Sequence, residues 1–216
     1  MRETGTTGRY VWLWVLGLSV GWFEGAVVIY LRELYYPDGF RFPVVIIPSW
    51  LAGVELVREA ASIMLLAAGA RLAGARFLER LAAFMMLFGI WDLAYYVVLE
   101  LVLGWPASLS TWDLLFLLPV PWVGPVWAPC VISVTLIGVG SYLYWTPEWR
   151  REVRWFDWLI VSAGGLIVIG SFVAGWRAVI EERLPERFPG GLFWLGFLIA
   201  LAWFVRVERR ASARRA

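Results

Sequence analysis

Hydrophobic residues of this chain fall into six long runs, which short polar or proline-containing segments separate. The runs cover residues 10–31, 50–70, 81–103, 123–145, 158–179 and 192–205. A helix needs about 20 apolar residues to cross a bilayer, and all of the runs except the last reach that length. The pattern predicts an all-α fold, a polytopic transmembrane helical bundle of about six spans. We expect residues 1–216 to form a single integral membrane domain.

Several prolines interrupt the chain just before the fourth run. They are Pro119, Pro121, Pro125 and Pro129. Each proline removes a backbone donor and clashes with the preceding helical turn. Residues 113–121 are apolar but too short to cross a membrane. We therefore predict a half-helix, an interfacial segment or an irregular corner here, with the fourth helix beginning near Val123.

The composition supports a membrane location. Hydrophobic residues make up 61% of the chain and charged residues only 17%, with a mean hydropathy of +0.72. A soluble domain would have about 45–50% apolar and about 25% charged residues. We expect a multi-pass protein of a bacterial-type inner (plasma) membrane, with the lipid bilayer as its first partner.

The absence of histidine narrows the chemistry. Histidine is the commonest metal ligand and the usual general base, and this chain has none. The single cysteine, Cys130, lies in an apolar run and is expected to be a packing residue. We predict no cofactor and no metal site. Nucleic-acid binding is not indicated either, because the arginine-rich tail is better suited to orienting the protein or meeting anionic lipid.

The arginines predict the topology. Arginine clusters follow the second run, the fourth run and the sixth run, whereas the arginines of the alternate loops are mostly balanced by nearby acids. The first two clusters are Arg71, Arg76 and Arg80, and Arg150, Arg151 and Arg154. Positive charge concentrates on the cytoplasmic side of membrane proteins. Both termini are therefore expected to be cytoplasmic.

Ionisable residues inside the runs are the candidate site. With this topology, Glu24 of the first run, the Glu55, Arg58 and Glu59 group of the second, and Asp92 of the third converge in the outer half of the bundle. Asp113 opens the proline-broken segment on the same side. An ionisable residue within a membrane span is costly and marks a functional site by default.

Local spacing suggests how these charges interact. Glu55 and Glu59 are four residues apart, so they share a helix face and repel each other. Arg58 is placed to neutralise only one of them locally. Tyr95 and Tyr96 follow Asp92 by about one turn, and their hydroxyls are candidate donors to it. In the alternative interpretation, Arg–carboxylate pairing only locks helices together, or Glu55 and Arg58 lie close enough to the interface to snorkel. Glu100 and Asp113 are expected at the interface.

Three functions compete. The favoured one is proton- or cation-coupled transport or permeation of a small solute through the acidic cluster. The second is a non-catalytic structural subunit of a larger membrane complex, which would contact other membrane subunits or a second copy through the glycine-rich fifth run. The third is a lipid-modifying membrane enzyme that uses Glu59 or Asp92 as acid and base. It is the least favoured, because no nucleophile or catalytic motif stands out.

Overall fold

The protein is described from a computed structural model that covers residues 2–45, 47–146, 153–183 and 185–213. Six long helices dominate it, which confirms the all-α helical bundle. They are α1 (Arg2–Tyr35), α2 (Ser49–Ala73), α3 (Phe77–Leu103), α4 (Trp127–Trp145), α5 (Trp155–Val173) and α7 (Gly190–Ala213), with a short α6 (Trp176–Ile180) after α5. Two short strands, β1 (Trp112–Phe116) and β2 (Trp122–Pro125), precede α4.

Five helical segments of the described chain are long and apolar enough to cross a membrane. They are Thr6–Tyr35, Phe77–Leu103, Trp127–Trp145, Trp155–Ile180 and Gly190–Ala213. The remaining long helix, α2, has 25 residues, but Glu55, Arg58 and Glu59 interrupt its apolar sequence. These helices indicate a multi-pass membrane protein. The predicted orientation of the termini stays a prediction, and Arg150 and Arg151, which support it, lie outside the described residues.

The chain divides into two compact units, one formed by residues 1–113 and 125–146 and the other by residues 114–124 and 147–216. In the first unit, α1 packs on α3 through three glycines at four-residue spacing. A methyl group would lie 2.7 Å from Ile90 at Gly17, 2.5 Å from Ala94 at Gly21 and 2.6 Å from Val98 at Gly25. Small residues at this spacing let two helix backbones approach closely in lipid. Because residue numbers rise together on both helices, α1 and α3 run parallel.

Helix α4 packs on another part of α3 and runs antiparallel to it. A methyl group at Gly89 would lie 2.5 Å from the carbonyl oxygen of Ser133, and one at Gly140 would lie 2.8 Å from that of Ala82. Residue numbers fall on one helix as they rise on the other. This arrangement brings Ser133 of α4 beside the middle of α3.

The proline-broken segment is a β-hairpin. Strands β1 and β2 pair, and the five residues between them are too few for a parallel connection. The prediction that this segment is not one straight helix is confirmed. Of the alternatives given for it, the half-helix is not formed, and the irregular corner agrees with the connection at residues 117–121. The fourth helix begins at Trp127 instead of near Val123. A hairpin is compatible with these prolines, because Pro119 and Pro121 lie between the strands. At those positions no backbone N–H is needed for the hydrogen bonds between β1 and β2.

In the second unit, α5 and α7 meet at a pair of glycines. A methyl group at Gly164 would lie 2.7 Å from the carbonyl oxygen of Gly196, and one at Gly196 would lie 2.6 Å from that of Gly164. Contact of the glycine-rich fifth run with other subunits or a second copy stays a prediction. At Gly165 and Gly170 of α5, no atom of the described residues outside the helix's own backbone and the adjacent residues lies within 4 Å of the position that a methyl group would take.

Candidate functional site

An arginine on α2 joins two carboxylates from two helices. Arg58 donates through Nε to Glu55 Oε2 at 2.8 Å and through Nη1 to Glu24 of α1. Ser62, one turn beyond Arg58, donates to the other oxygen of Glu24 at 3.0 Å. The group is largely buried, so its charges need each other. Arg58 therefore neutralises its local neighbour Glu55 and, across the helix interface, Glu24.

Glu59 lies one turn after Glu55 on the same face of α2. It is buried, with 7% of its surface exposed, and it makes an interaction of its own. Glu55 is similarly buried, with 6% of its surface exposed, and whether it lies near a membrane interface is not tested by this burial. Both carboxylates of α2 therefore point away from lipid and solvent.

Asp92 lies near the middle of α3, fifteen residues after Phe77 and eleven before Leu103. At 1.5 Å per residue, that is about 16 Å or more of helix on either side. Ser133 of α4 donates a hydrogen bond to Asp92 Oδ2 at 2.7 Å. Tyr96 was predicted as a donor to Asp92, and this prediction is wrong, because its hydroxyl hydrogen-bonds elsewhere. Within the described chain, Asp92 forms no ion pair.

Asp113 is the most deeply buried of the predicted site residues, with 1% of its surface exposed. It lies at the start of strand β1. Its side chain is fully enclosed by protein, and its expected position at the membrane interface stays a prediction. Tyr96 of α3 donates to Asp113 Oδ2 at 3.0 Å, and Arg32 of α1 forms a salt bridge to Oδ1 at 3.4 Å. Tyr95 packs edge-on against Tyr96, with ring centroids 5.0 Å apart.

Arg32 is a site residue that sequence reasoning assigned to a loop. Its guanidinium carbon lies 3.7 Å from the ring centroid of Trp105 and 4.2 Å from that of Phe40. The side chain is buried, and Nη1 has no hydrogen-bond partner among the described residues. The sequence placed Arg32 just after the first apolar run and gave no sign that it pairs with Asp113. In the fold, Phe40 and Trp105 enclose the Arg32 guanidinium, which lies beside Asp113.

The second unit has a carboxylate site of its own. Asp157 of α5 is 1% exposed and pairs with Arg210 of α7. It also accepts hydrogen bonds from the Arg154 backbone N–H at 2.8 Å and from Trp203 Nε1 at 3.0 Å. Asp157 was predicted to lie in a loop, and it lies in the first turn of α5 instead. In the sequence, the signal for this helix start is an acidic residue, Asp157, three positions after Arg154, where it can accept a hydrogen bond from the Arg154 backbone N–H.

Six of the predicted site residues, all except Glu59 and Tyr95, fall into three hydrogen-bonded groups together with Arg32, Ser62 and Ser133. The groups are Glu24, Glu55, Arg58 and Ser62; Asp92 and Ser133; and Arg32, Tyr96 and Asp113. A single connected polar network stays a prediction. Among the described residues, no three His, Cys, Asp or Glu side chains are grouped so that they could hold a metal ion.

Comparisons of this chain with protein-family models, with curated proteins and with solved structures find no match. A function for this chain is therefore inferred from the chemistry of the three groups alone.

Proposed function

We propose that this multi-pass membrane protein carries protons, alone or coupled to a small solute, and that Asp92 is the group that binds and releases them. The observation that supports the proposal is the partner of Asp92. Glu24 and Glu55 pair with Arg58, Asp113 with Arg32 and Asp157 with Arg210. Asp92 has a serine hydroxyl instead.

The energetics of a span explain why this difference matters. A charged Asp at the centre of a helix in a membrane costs at least about 2.5–3.5 kcal/mol on insertion scales. An arginine partner offsets that cost permanently, so a paired carboxylate has little reason to exchange a proton. A hydroxyl can donate to a carboxylate and can also accept from a carboxylic acid. Ser133 is therefore able to accompany Asp92 through both protonation states.

The paired groups have a supporting role in this proposal. The Glu24–Arg58–Glu55 group connects α1 to α2, and the α1 glycines connect α1 to α3. Together they hold a rigid frame around the helix that carries Asp92. Movement of protons requires only Asp92 and its hydroxyl partner to change state.

The test is proton flux into liposomes that contain the purified protein. An internal pH dye reports acidification after a potassium gradient with valinomycin imposes a membrane potential. We expect flux above that of empty liposomes, and we expect Asp92→Asn to abolish it. The matched control is Glu100→Gln, which removes an exposed carboxyl from the same helix and should leave flux unchanged. Equal flux from the wild type and Asp92→Asn would contradict the proposal, and no flux from the wild type would contradict uncoupled proton movement.

The second candidate is a non-catalytic subunit of a membrane complex. The observation that favours it is the open surface of α5 at Gly165 and Gly170, where a partner helix could approach closely. Under this alternative, Asp92→Asn changes thermal stability only, and Gly165→Leu releases the protein from its complex in native gels of membranes. Intact assembly of Gly165→Leu would argue against the subunit function.

A further inference from the structure

The start of α5 and the end of α7 lie side by side in the second unit. The ring centroids of Phe156 and Trp203 are 5.3 Å apart, and Asp157 bonds to both Trp203 and Arg210. These contacts set the two helix ends next to each other. We call the surface formed by Arg154, Trp155, Trp203, Arg206 and Arg209 the basic corner.

The basic corner separates its charges by sign. Two acids occur in these helix ends, and both are buried: Asp157 at 1% exposure and Glu208 at 8%. Arg154, Arg206 and Arg209 are exposed. Within the described residues of the two helix ends, the exposed charge is therefore entirely positive.

Aromatic side chains border the positive surface. Trp155 is 77% exposed, which is costly in water for so large an apolar ring. The guanidinium carbon of Arg206 lies 5.0 Å from the ring centroid of Trp203. The apolar sequence of α7 ends at Val205, directly before Arg206. Tryptophan and arginine at the end of an apolar helix match the headgroup region of a bilayer, where Trp contacts acyl chains and Arg contacts phosphate.

We propose that the basic corner is a binding site for the headgroup of an anionic phospholipid, of which phosphatidylglycerol is the simplest probe. Guanidinium groups bind phosphate oxygens in a bidentate geometry. The buried Asp157–Arg210 pair supplies no free negative charge to compete with the phosphate. The exposed Trp155 favours a lipid over free phosphate as the ligand, because a lipid would cover the indole ring and an inorganic ion would not.

The experiment measures lipid binding to the full-length protein in a neutral detergent. Native mass spectrometry follows the bound fraction as phosphatidylglycerol or phosphatidylcholine is added. We expect the wild type to prefer phosphatidylglycerol. The double variant Arg206→Gln/Arg209→Gln should lower the affinity for phosphatidylglycerol by about 30-fold, from about 1 kcal/mol per arginine at a membrane surface. Affinity for phosphatidylcholine should change little.

The chain offers a matched control elsewhere in the second unit. Arg177 lies over Trp176 with its guanidinium carbon 5.5 Å from the ring centroid, so Arg177→Gln removes the same kind of pair at a different place. It should retain wild-type lipid binding. Arg206→Lys/Arg209→Lys should bind more tightly than the Gln double variant and more weakly than the wild type, because lysine keeps the charge but not the bidentate geometry. Circular dichroism verifies that each variant is folded. An equal loss in Arg177→Gln, no preference for phosphatidylglycerol, or full displacement of the lipid by inorganic phosphate would overturn the proposal.

Discussion

The buried pair of Arg32 and Asp113 allows a quantitative test of how the start of strand β1 is held to the helices. The two residues are 6% and 1% exposed, and their charged atoms are 3.4 Å apart. Removing one partner of such a pair leaves the other charge buried without compensation, which costs about 3–5 kcal/mol. We expect Asp113→Asn and Arg32→Met each to lower the free energy of unfolding by about 3 kcal/mol. Both substitutions keep the approximate shape of the side chain.

The double variant should be much more stable than the sum of the single effects predicts. With both charges removed, no uncompensated charge remains, and the introduced methionine side chain would still fill the space between Phe40 and Trp105. We expect a coupling energy of about 2–3 kcal/mol, at the upper end of the range for contacting residues. Unfolding in mixed micelles with increasing SDS, followed by circular dichroism, measures all four free energies.

The control pair is Glu181 and Arg183, whose side chains are 53% and 61% exposed. The same cycle there should give no measurable coupling, because solvent screens an exposed ion pair. Additive effects of Arg32→Met and Asp113→Asn would refute the reasoning. So would a neutral effect of Arg32→Met, since it would mean that Asp113 does not depend on this cation.

Further predictions concern packing, the second unit and topology. Gly21→Ala should lower the free energy of unfolding by about 1–3 kcal/mol, because the added methyl group overpacks α1 against α3. The control is Gly138→Ala, whose methyl group meets open space and should be neutral or slightly stabilising in the same SDS titration. Asp157→Asn should cost about 1–3 kcal/mol through loss of its charged hydrogen bonds, whereas Asp38→Asn, at an exposed position, should cost nothing measurable. Reporter fusions at both termini should report a cytoplasmic location, and an external C-terminus would contradict the arginine argument.

Much of the fold was predictable because it depends on local properties of the chain. The length of the apolar runs predicted the helices. Pro37, Asp38 and Gly39, residues that favour turns, follow soon after α1 and form a turn there. Gly39 has a φ of +91°, a conformation that glycine adopts without strain. The proline-rich segment was predicted to break a helix, but prolines alone do not say what replaces the helix. Pairing of strands β1 and β2 replaces the helix here, because it supplies the backbone hydrogen bonds that the broken helix cannot form.

The carboxylates of the candidate site and Arg58 were predictable, whereas Arg32, the serine partners and the pairings were not. Glu24, Glu55, Arg58 and Asp92 were identified because ionisable residues in apolar runs are conspicuous. The sequence placed Tyr96 one turn from Asp92, yet its hydroxyl bonds to Asp113 instead. Ser133, which does bond to Asp92, lies 41 residues away and carries no distinguishing pattern.

The sequence by itself determined that this chain forms long apolar helices, where charges interrupt them and where the backbone must leave the helix. Those properties follow from runs of neighbouring residues. Tertiary structure alone decided which charge meets which partner, because that depends on the rotation and register of one helix against another. The glycine contacts at Gly17, Gly21 and Gly25 set that register for α1 on α3. Packing of α4 against α3 places the Ser133 hydroxyl beside Asp92. The hydrogen-bond partner of Asp92 is therefore uncharged.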